Sequence, residues 1–439
     1  MKSFKYLLKY ISIVCLLLIS PWSEAQVLIQ HWVTSKGAAV YFVPTSTLPM
    51  LDLKVAFAAG SAYDRNTFGL AALTLNMLNQ GNKGMNATQI AEGFEKIGAR
   101  LGSSLDRDKA VLSLKTLSDP KHLTQALRYF QYVVQSPDFP EKAFLREQKN
   151  TLIAMAQTEE SPASVAEKHF FAALYPNQPY GHPILGQEET VKKMKRADLE
   201  RFYKTYYVAQ NAMIILVGNV TRAQAEKIAF NVSEGLPEGK KAPPLPPGSH
   251  ALTKPIHQHI NFPSHQTVIQ LGSLGISHLD PDYFPLIVGN YILGGGSLVS
   301  RLASEIREKR GLSYYIYSYF DPLLSQGPFI ITLATRNKQA LEALSLTQKT
   351  FARFIEEGPT PAELEDAKKY LIGSFPLKLD SNAALAGVLL TIGFYHLPLQ
   401  YLDTYQDKIA AVTLSEVKAA FKKHMDPEAS VTVTVGGNA

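Results

Sequence analysis

Cysteine is nearly absent: of 439 residues only Cys15 is one, and it lies in an N-terminal apolar run that reads as a removable leader. A mature chain without cysteine has no disulfide, no thiolate nucleophile and no cysteine metal site. Two further absences narrow the chemistry. There is no G-x-S-x-G elbow for a serine nucleophile and no G-x-x-x-x-G-K-[ST] loop for nucleotide phosphates. Gly294-Gly295-Gly296 follows a helical run rather than a strand, which speaks against a dinucleotide fingerprint. Blocks of like charge are missing too. The formal charge of +6 is spread among acids along helices, the pattern of a solvated surface and not of a nucleic-acid footprint.

Lys2, Lys5 and Lys9 precede the apolar run Ile11–Ser20, and Ser23-Glu24-Ala25 follows it. That order predicts a secretory signal over residues 1–25 with cleavage after Ala25. The run is short for a bilayer span, so no stable membrane anchor is expected after cleavage. Cys15 follows Val14 in mid-run, the wrong place for lipid attachment. Cleavage removes three lysines and one glutamate and leaves a charge of +4. A cysteine-free mature chain suits an oxidising compartment. A bacterial-type export signal to the periplasm is the reading preferred here, with a eukaryotic secretory route as the alternative.

What is there points to a globular protein: 46% of residues are apolar and the mean hydropathy is −0.05. The length exceeds one ordinary core. Pro237, Pro243, Pro244, Pro246, Pro247 and Pro255 crowd a short stretch with Gly239 and Gly248, so residues 236–255 read as an extended linker. It separates an N-terminal domain, 26–235, from a C-terminal domain, 256–439. Both halves present strands, then helices, then a strand pair, then long helices and a closing strand. Ser430 to Val435 alternates cleanly, as a half-buried strand does. Leu341, Leu344, Thr347 and Phe351 predict one apolar helix face. The fold class expected is α+β, two copies of a mixed sheet with helices packed on one side.

Residues 69–78 read Gly-Leu-Ala-Ala-Leu-Thr-Leu-Asn-Met-Leu. Their frame resembles the zinc-binding helix of the pitrilysin and mitochondrial-processing-peptidase family, whose inverted motif is H-x-x-E-H. In that frame the histidines fall on Ala72 and Asn76 and the general base on Leu75. The resemblance places a third ligand, a glutamate, on a later helix, seven residues after another glutamate. Glu147 in Phe144-Leu145-Arg146-Glu147 takes the earlier place, and seven residues on stands Ala154. Alanine and leucine have no donor atom, and an amide oxygen is a poor zinc ligand beside imidazole or carboxylate. The four positions therefore predict no metal in this chain. Elsewhere only His257 and His259 are close in sequence. They lack a neighbouring carboxylate and read as surface histidines, and His182 reads as structural.

The second half keeps its signature. Asn290 to Tyr317 contains Leu293-Gly294-Gly295-Gly296, Ser300-Arg301-Leu302 and Arg307-Glu308-Lys309-Arg310-Gly311-Leu312-Ser313-Tyr314. This closely resembles the family's L-G-G-G-x-x-x-S-R-L…R-E-x-x-G-L-x-Y block. The resemblance spans about residues 27–437 and implies two roll domains of the processing-peptidase type. In the family an arginine and a tyrosine seven residues apart assist a zinc site across a central chamber, and Arg307 and Tyr314 have that spacing. The resemblance thus implies the non-catalytic subunit of an exported heterodimeric zinc peptidase acting on peptides. A partner with H-x-x-E-H would hold the zinc, and a homodimer is left open. The alternative is an inert structural or peptide-binding member.

Overall fold

The computed structural model describes residues 27–246 and 252–437. The leader, with Cys15, and Pro247 and Gly248 of the linker lie outside the described residues. The first half contains β1 (Gln30–Val33), β2 (Ala39–Pro44), β3 (Met50–Phe57), the small hairpin β4 (Gly81–Asn82) and β5 (Met85–Asn86), β6 (Arg100–Leu105), β7 (Ala110–Leu117) and β8 (Ala212–Gly218). The second contains β9 (Ile256–Asn261), β10 (Gln266–Leu274), β11 (Ser313–Phe320), β12 (Pro328–Arg336) and β13 (Val431–Gly436). Strand β9 begins where the proline run ends, at a place where the sequence pattern is weak.

The first sheet runs β1-β2-β8-β3-β7-β6 and the second β9-β13-β10-β12-β11. With β1 set aside, the two orders match strand for strand. The directions match as well: β2 with β8 and β9 with β13 are parallel, and the other neighbours are antiparallel. One unit is used twice, the α+β repeat expected from the sequence.

The packing goes further than helices on one side. Helix Pro162–Leu174 belongs to the first half by sequence but packs on β10 and β13 of the second sheet. Helix Asn382–Phe394 belongs to the second half but packs on β2, β3 and β8 of the first. The exchange explains two sequence features. Strand β8, Ala-Met-Ile-Ile-Leu-Val-Gly, is buried along its whole length. Its Ile214 and Leu216 face helices of its own half, while Met213, Ile215 and Val217 join a core shared with the second half. The Asn382–Phe394 helix is apolar nearly all round because it is buried, which is where such helices belong. Gly393 lets it sit close: a Cβ there would stand 2.6 Å from the Tyr41 ring and 2.7 Å from Met213 Sδ.

Polar contacts fasten the same junction. Asp108, on the β6–β7 turn, is fully buried. It accepts from Tyr180 Oη (2.5 Å), from the Leu324 backbone N–H (2.9 Å) and from Tyr395 Oη (3.1 Å). Three donors from both halves thus converge on one carboxylate. Elsewhere the expected helix face is corrected. In helix Ala340–Glu357 the inward residues are Ala343, Thr347, Thr350, Phe351 and Phe354, and Leu341 is 69% exposed. Ala340, just before it, is already buried, so Leu341 is exposed because it falls on the outward face of the helix.

Phe170, on the exchanged helix, is fully buried beneath the second sheet. Phe170→Ala is expected to cost about 3–5 kcal/mol, read as a lowered urea midpoint in equilibrium unfolding of the mature chain.

Candidate functional site

The helix in the zinc-motif frame is Leu70–Met77. Its N-cap, Gly69, has no side chain to cap with, and Asp64 does that work from a distance. The Asp64 carboxylate accepts from the Gly69 N–H (2.6 Å) and the Ala71 N–H (2.7 Å), two of the donors a helix start leaves unpaired. Burial pushes this carboxyl up to about 8, against the pull of those two N–H groups. The helix packs on Glu141–Glu159, which carries Ala154. The fold therefore brings together the elements that carry the four named positions.

Those positions offer no donor set for zinc. Ala72 and Leu75 are buried, Ala154 is half-buried, and Asn76 is exposed. Glu147 pairs with Arg146 at 3.0 Å and accepts from Asn150. Leu75 instead packs in the hydrophobic core of the first half. A cleft of about 610 Å³ opens along the same helix at Leu152, Met155 and Ala156. His182 is buried, stacks on Phe68 with ring centroids 4.4 Å apart, and is held below its ordinary pKa by burial. His257 and His259 are exposed on β9, and both His259 nitrogens meet neutral side chains, Thr434 and Asn261. Among the described residues one group could share a cation, Asp280, Asp282 and His424. There the Lys423 ammonium already lies 2.6 Å from Asp282 and His424 Nε2 lies 2.9 Å from it, so an ammonium already stands where a cation would be needed.

The second-half signature is irregular in a purposeful way. The sequence predicts regular helices over 281–293 and 297–306. The structure has an α-helix only over Tyr283–Asn290, then two wide turns, Tyr291–Gly295 and Ala303–Glu308, closed by five-residue hydrogen bonds. Gly296 N–H donates to Tyr291 O at 2.8 Å, and Lys309 N–H to Ser304 O at 3.0 Å. Such widened turns recur at functional sites. Gly294 is pressed against β11, where a Cβ would meet Ser318 N at 2.7 Å. Arg301 locks the block to the next helix. Its Nε and Nη2 meet the two Glu363 oxygens at 2.7 and 2.6 Å, and Nη2 also donates to Gly358 O at 3.0 Å. The sequence flagged Arg301 as part of the block without its partner, which lies 62 residues away.

Arg307 sits on the second wide turn, and Tyr314 is the second residue of β11. The register of β11 on β12 slips between Ser313 and Ile316. That bulge turns both Tyr314 and Tyr315 outward, and Tyr314 is 80% exposed. Bulges re-aim side chains in this way. The Arg307 guanidinium lies over the Tyr314 ring, 4.7 Å from its centroid, within cation–π range. Arg307 also lines a groove of about 520 Å³ with Leu298, Tyr315, Tyr317 and Tyr319. The two residues singled out from sequence are thus in contact, at an open surface.

Comparison with known proteins agrees with this architecture. Residues 45–188 match the family description "Insulinase (Peptidase family M16)" and residues 193–371 match "Peptidase M16 inactive domain". The crystal structure of a peptidase M16 inactive domain from Pseudomonas fluorescens is similar with a TM-score of 0.91 and 40% identity, over 94% of this chain and 98% of that one. The chain belongs to peptidase family M16. A family relative described as "Non-peptidase homolog YmxG" of Helicobacter pylori is 27% identical over 92% of this chain and 93% of its own. Mitochondrial-processing peptidase subunit beta of Lentinula edodes is 26% identical over 84% and 81%. Other bacterial M16 relatives carry the description zinc protease, so names alone do not divide active from inactive members.

The Arg301–Glu363 pair gives a pH signature. Partial burial alone would raise the Glu363 carboxyl, but the Arg301 guanidinium and the Thr360 donors outweigh it and hold the group at about 2, against an ordinary 4.5. A depressed carboxylate stabilises the fold fully above its unfolded pKa, and that contribution is lost as pH falls from about 4.5 to about 2. Glu363→Gln is expected to cost about 2 kcal/mol at neutral pH and to flatten this acid limb, measured by urea unfolding at a series of pH values.

Proposed function

We propose that this chain is a non-catalytic subunit of an exported heterodimeric M16 peptidase and lends Arg307 and Tyr314 to a partner's active site. The observation that carries the reading is the contrast between the two halves. Positions 72, 75, 76 and 154 hold no zinc donors, yet the bulge of β11 and the wide turn before it hold a guanidinium and an exposed phenol together beside a groove. A partner with H-x-x-E-H would supply the metal, the water and the general base. Arg307, always charged, and the Tyr314 hydroxyl would donate to the carbonyl oxygen that gains negative charge during attack. Donors aimed in advance at developing charge are a large catalytic term. The cation–π contact helps here, since it fixes the guanidinium against the ring instead of leaving it free in solvent.

Export follows from the leader over 1–25 and the cysteine-free mature chain, and the periplasm is the compartment proposed. The processing-peptidase relative is itself a subunit by description, which supports a two-chain assembly. A second reading, an inert scaffold or peptide-binding member, draws on the relative described as a non-peptidase homolog.

Two measurements test the proposal, and the second separates the readings. Metal analysis of the purified mature chain is expected to find no stoichiometric zinc; one tightly held zinc per chain would overturn the frame assigned to Leu70–Met77. Reconstituted with an H-x-x-E-H partner, Arg307→Ala and Tyr314→Phe should lower kcat about a hundredfold, on the order of 3 kcal/mol, with KM and subunit association little changed. Tyr314→Phe is the cleaner variant because it keeps the ring under Arg307 and removes only the donor. Full activity in both variants would leave the scaffold reading.

A further inference from the structure

The groove beside Arg307 carries a feature that the proposed role in turnover does not use. Tyr315, Tyr317 and Tyr319 alternate with the inward Ile316, Ser318 and Phe320, so all three phenols stand on one face of β11. Their rings form a ladder, with centroids 6.1 Å apart for Tyr315–Tyr317 and 5.9 Å for Tyr317–Tyr319. Each ring remains partly exposed, Tyr317 by 45%. Exposed aromatics in a row are costly to leave unpartnered, and large apolar surface of this kind marks interaction sites. Leu298 and Val299, both exposed, lie on the loop that follows the glycines of the signature, and Leu298 lines the same groove.

We infer that this ladder is a specificity subsite for an extended polypeptide with uncharged aromatic side chains at every second position. The inference rests on the peptide-binding role proposed above and names the class of chain that role favours. Spacing is the first argument. An extended chain repeats its side chains on one face about every 6.6 Å, close to the ring separations of the ladder, so three alternate side chains can each stack on one tyrosine. Charge is the second. Among the residues that line the groove Arg307 is the only charged one, and there is no carboxylate. At the far end two acids lie near Tyr319, Asp321 and Glu167, the latter 3.7 Å from Arg107. Within the groove itself a run of lysines or arginines would meet a cation and no carboxylate, whereas aromatic rings keep their stacking energy without any charge partner. The third argument concerns the backbone. Asn290 donates to Ser318 O at 3.1 Å, so one outward carbonyl of the edge strand is already taken. Recognition therefore depends on side-chain stacking more than on a continuous added strand.

The test uses the purified mature chain alone, with fluorescein-labelled nine-residue peptides followed by fluorescence anisotropy. One peptide alternates tyrosine with threonine. A second alternates lysine with threonine. A third has the composition of the first with its tyrosines placed consecutively. The alternating tyrosine peptide is expected to bind at least tenfold tighter than the lysine peptide and several-fold tighter than the consecutive one. Tyr317→Ser should weaken it about fivefold, the size of one aromatic pair, and Tyr317→Phe should restore it. Equal or tighter binding of the lysine peptide, no binding of any peptide, or unchanged binding by Tyr317→Ser would each overturn the inference. The outcome is separable from the role in turnover. Loss of kcat in Arg307→Ala with no ladder selectivity would sink the subsite alone, and ladder selectivity with full activity in the Arg307 and Tyr314 variants would sink the assisting role alone.

Discussion

Each sheet of this protein is covered on one of its faces by a helix that belongs to the other half of the sequence, and most of the architecture follows from that exchange. A mixed sheet with a fully apolar central strand must be buried on both sides. Helices of the same half can cover one side. The Pro162–Leu174 and Asn382–Phe394 helices supply the second, each across the junction. Neither half could present its sheet to water without exposing the inner faces of β8 or β13. The two halves are therefore interlocked through their sheets and do not meet only through the proline-rich connection.

The exchange also fixes where chemistry can sit. Two places carry the positions singled out from the sequence. One is the Leu70–Met77 and Glu141–Glu159 helix pair in the first half, the other the β11 edge with its preceding wide turns in the second. These occupy matching places in a repeated unit, since β6 and β11 hold equivalent edge positions in the two sheets. At the first, Ala72, Leu75 and Ala154 offer no donor atom and Asn76 only an amide, and Leu75 packs in the core. At the second, the backbone is irregular: two widened turns and a bulge bring a guanidinium and a phenol into contact. The asymmetry between the two places is the physical basis for reading the chain as half of a divided site.

Much of this was legible in the sequence where a single period governed. The clean alternation of Ser430 to Val435 placed β13 within one residue, and the glycine block, with its arginine and tyrosine, drew attention to two residues that lie in contact. What escaped was set by contacts distant in sequence. The Arg301–Glu363 lock, the Asp108 junction and the exchanged helices each join residues that no local pattern relates. Local reading also failed where backbone geometry departs from the regular periods. Residues 297–306 look helical by apolar spacing, but Gly294 must lie against Ser318, and the chain absorbs that approach through wide turns instead of a continuous helix. Tyr314 and Tyr315 break strict alternation, and only the bulge explains why two consecutive tyrosines both face water.

The same bulge links the two roles assigned to β11. One extra residue in the strand places Tyr314 out of phase with the Tyr315, Tyr317 and Tyr319 ladder. It joins Arg307 on the turn while the ladder faces along the sheet. Had the strand been regular, the first phenol would have fallen on the inward face with Ile316, and the arginine would have had no ring to lie on. Positioning of a donor pair and display of an aromatic face thus come from one local irregularity, held in place by Arg301 and by the close approach of Gly294. A change that regularised the register of β11 would be felt at both surfaces together, whereas loss of a single ladder tyrosine would be felt at one.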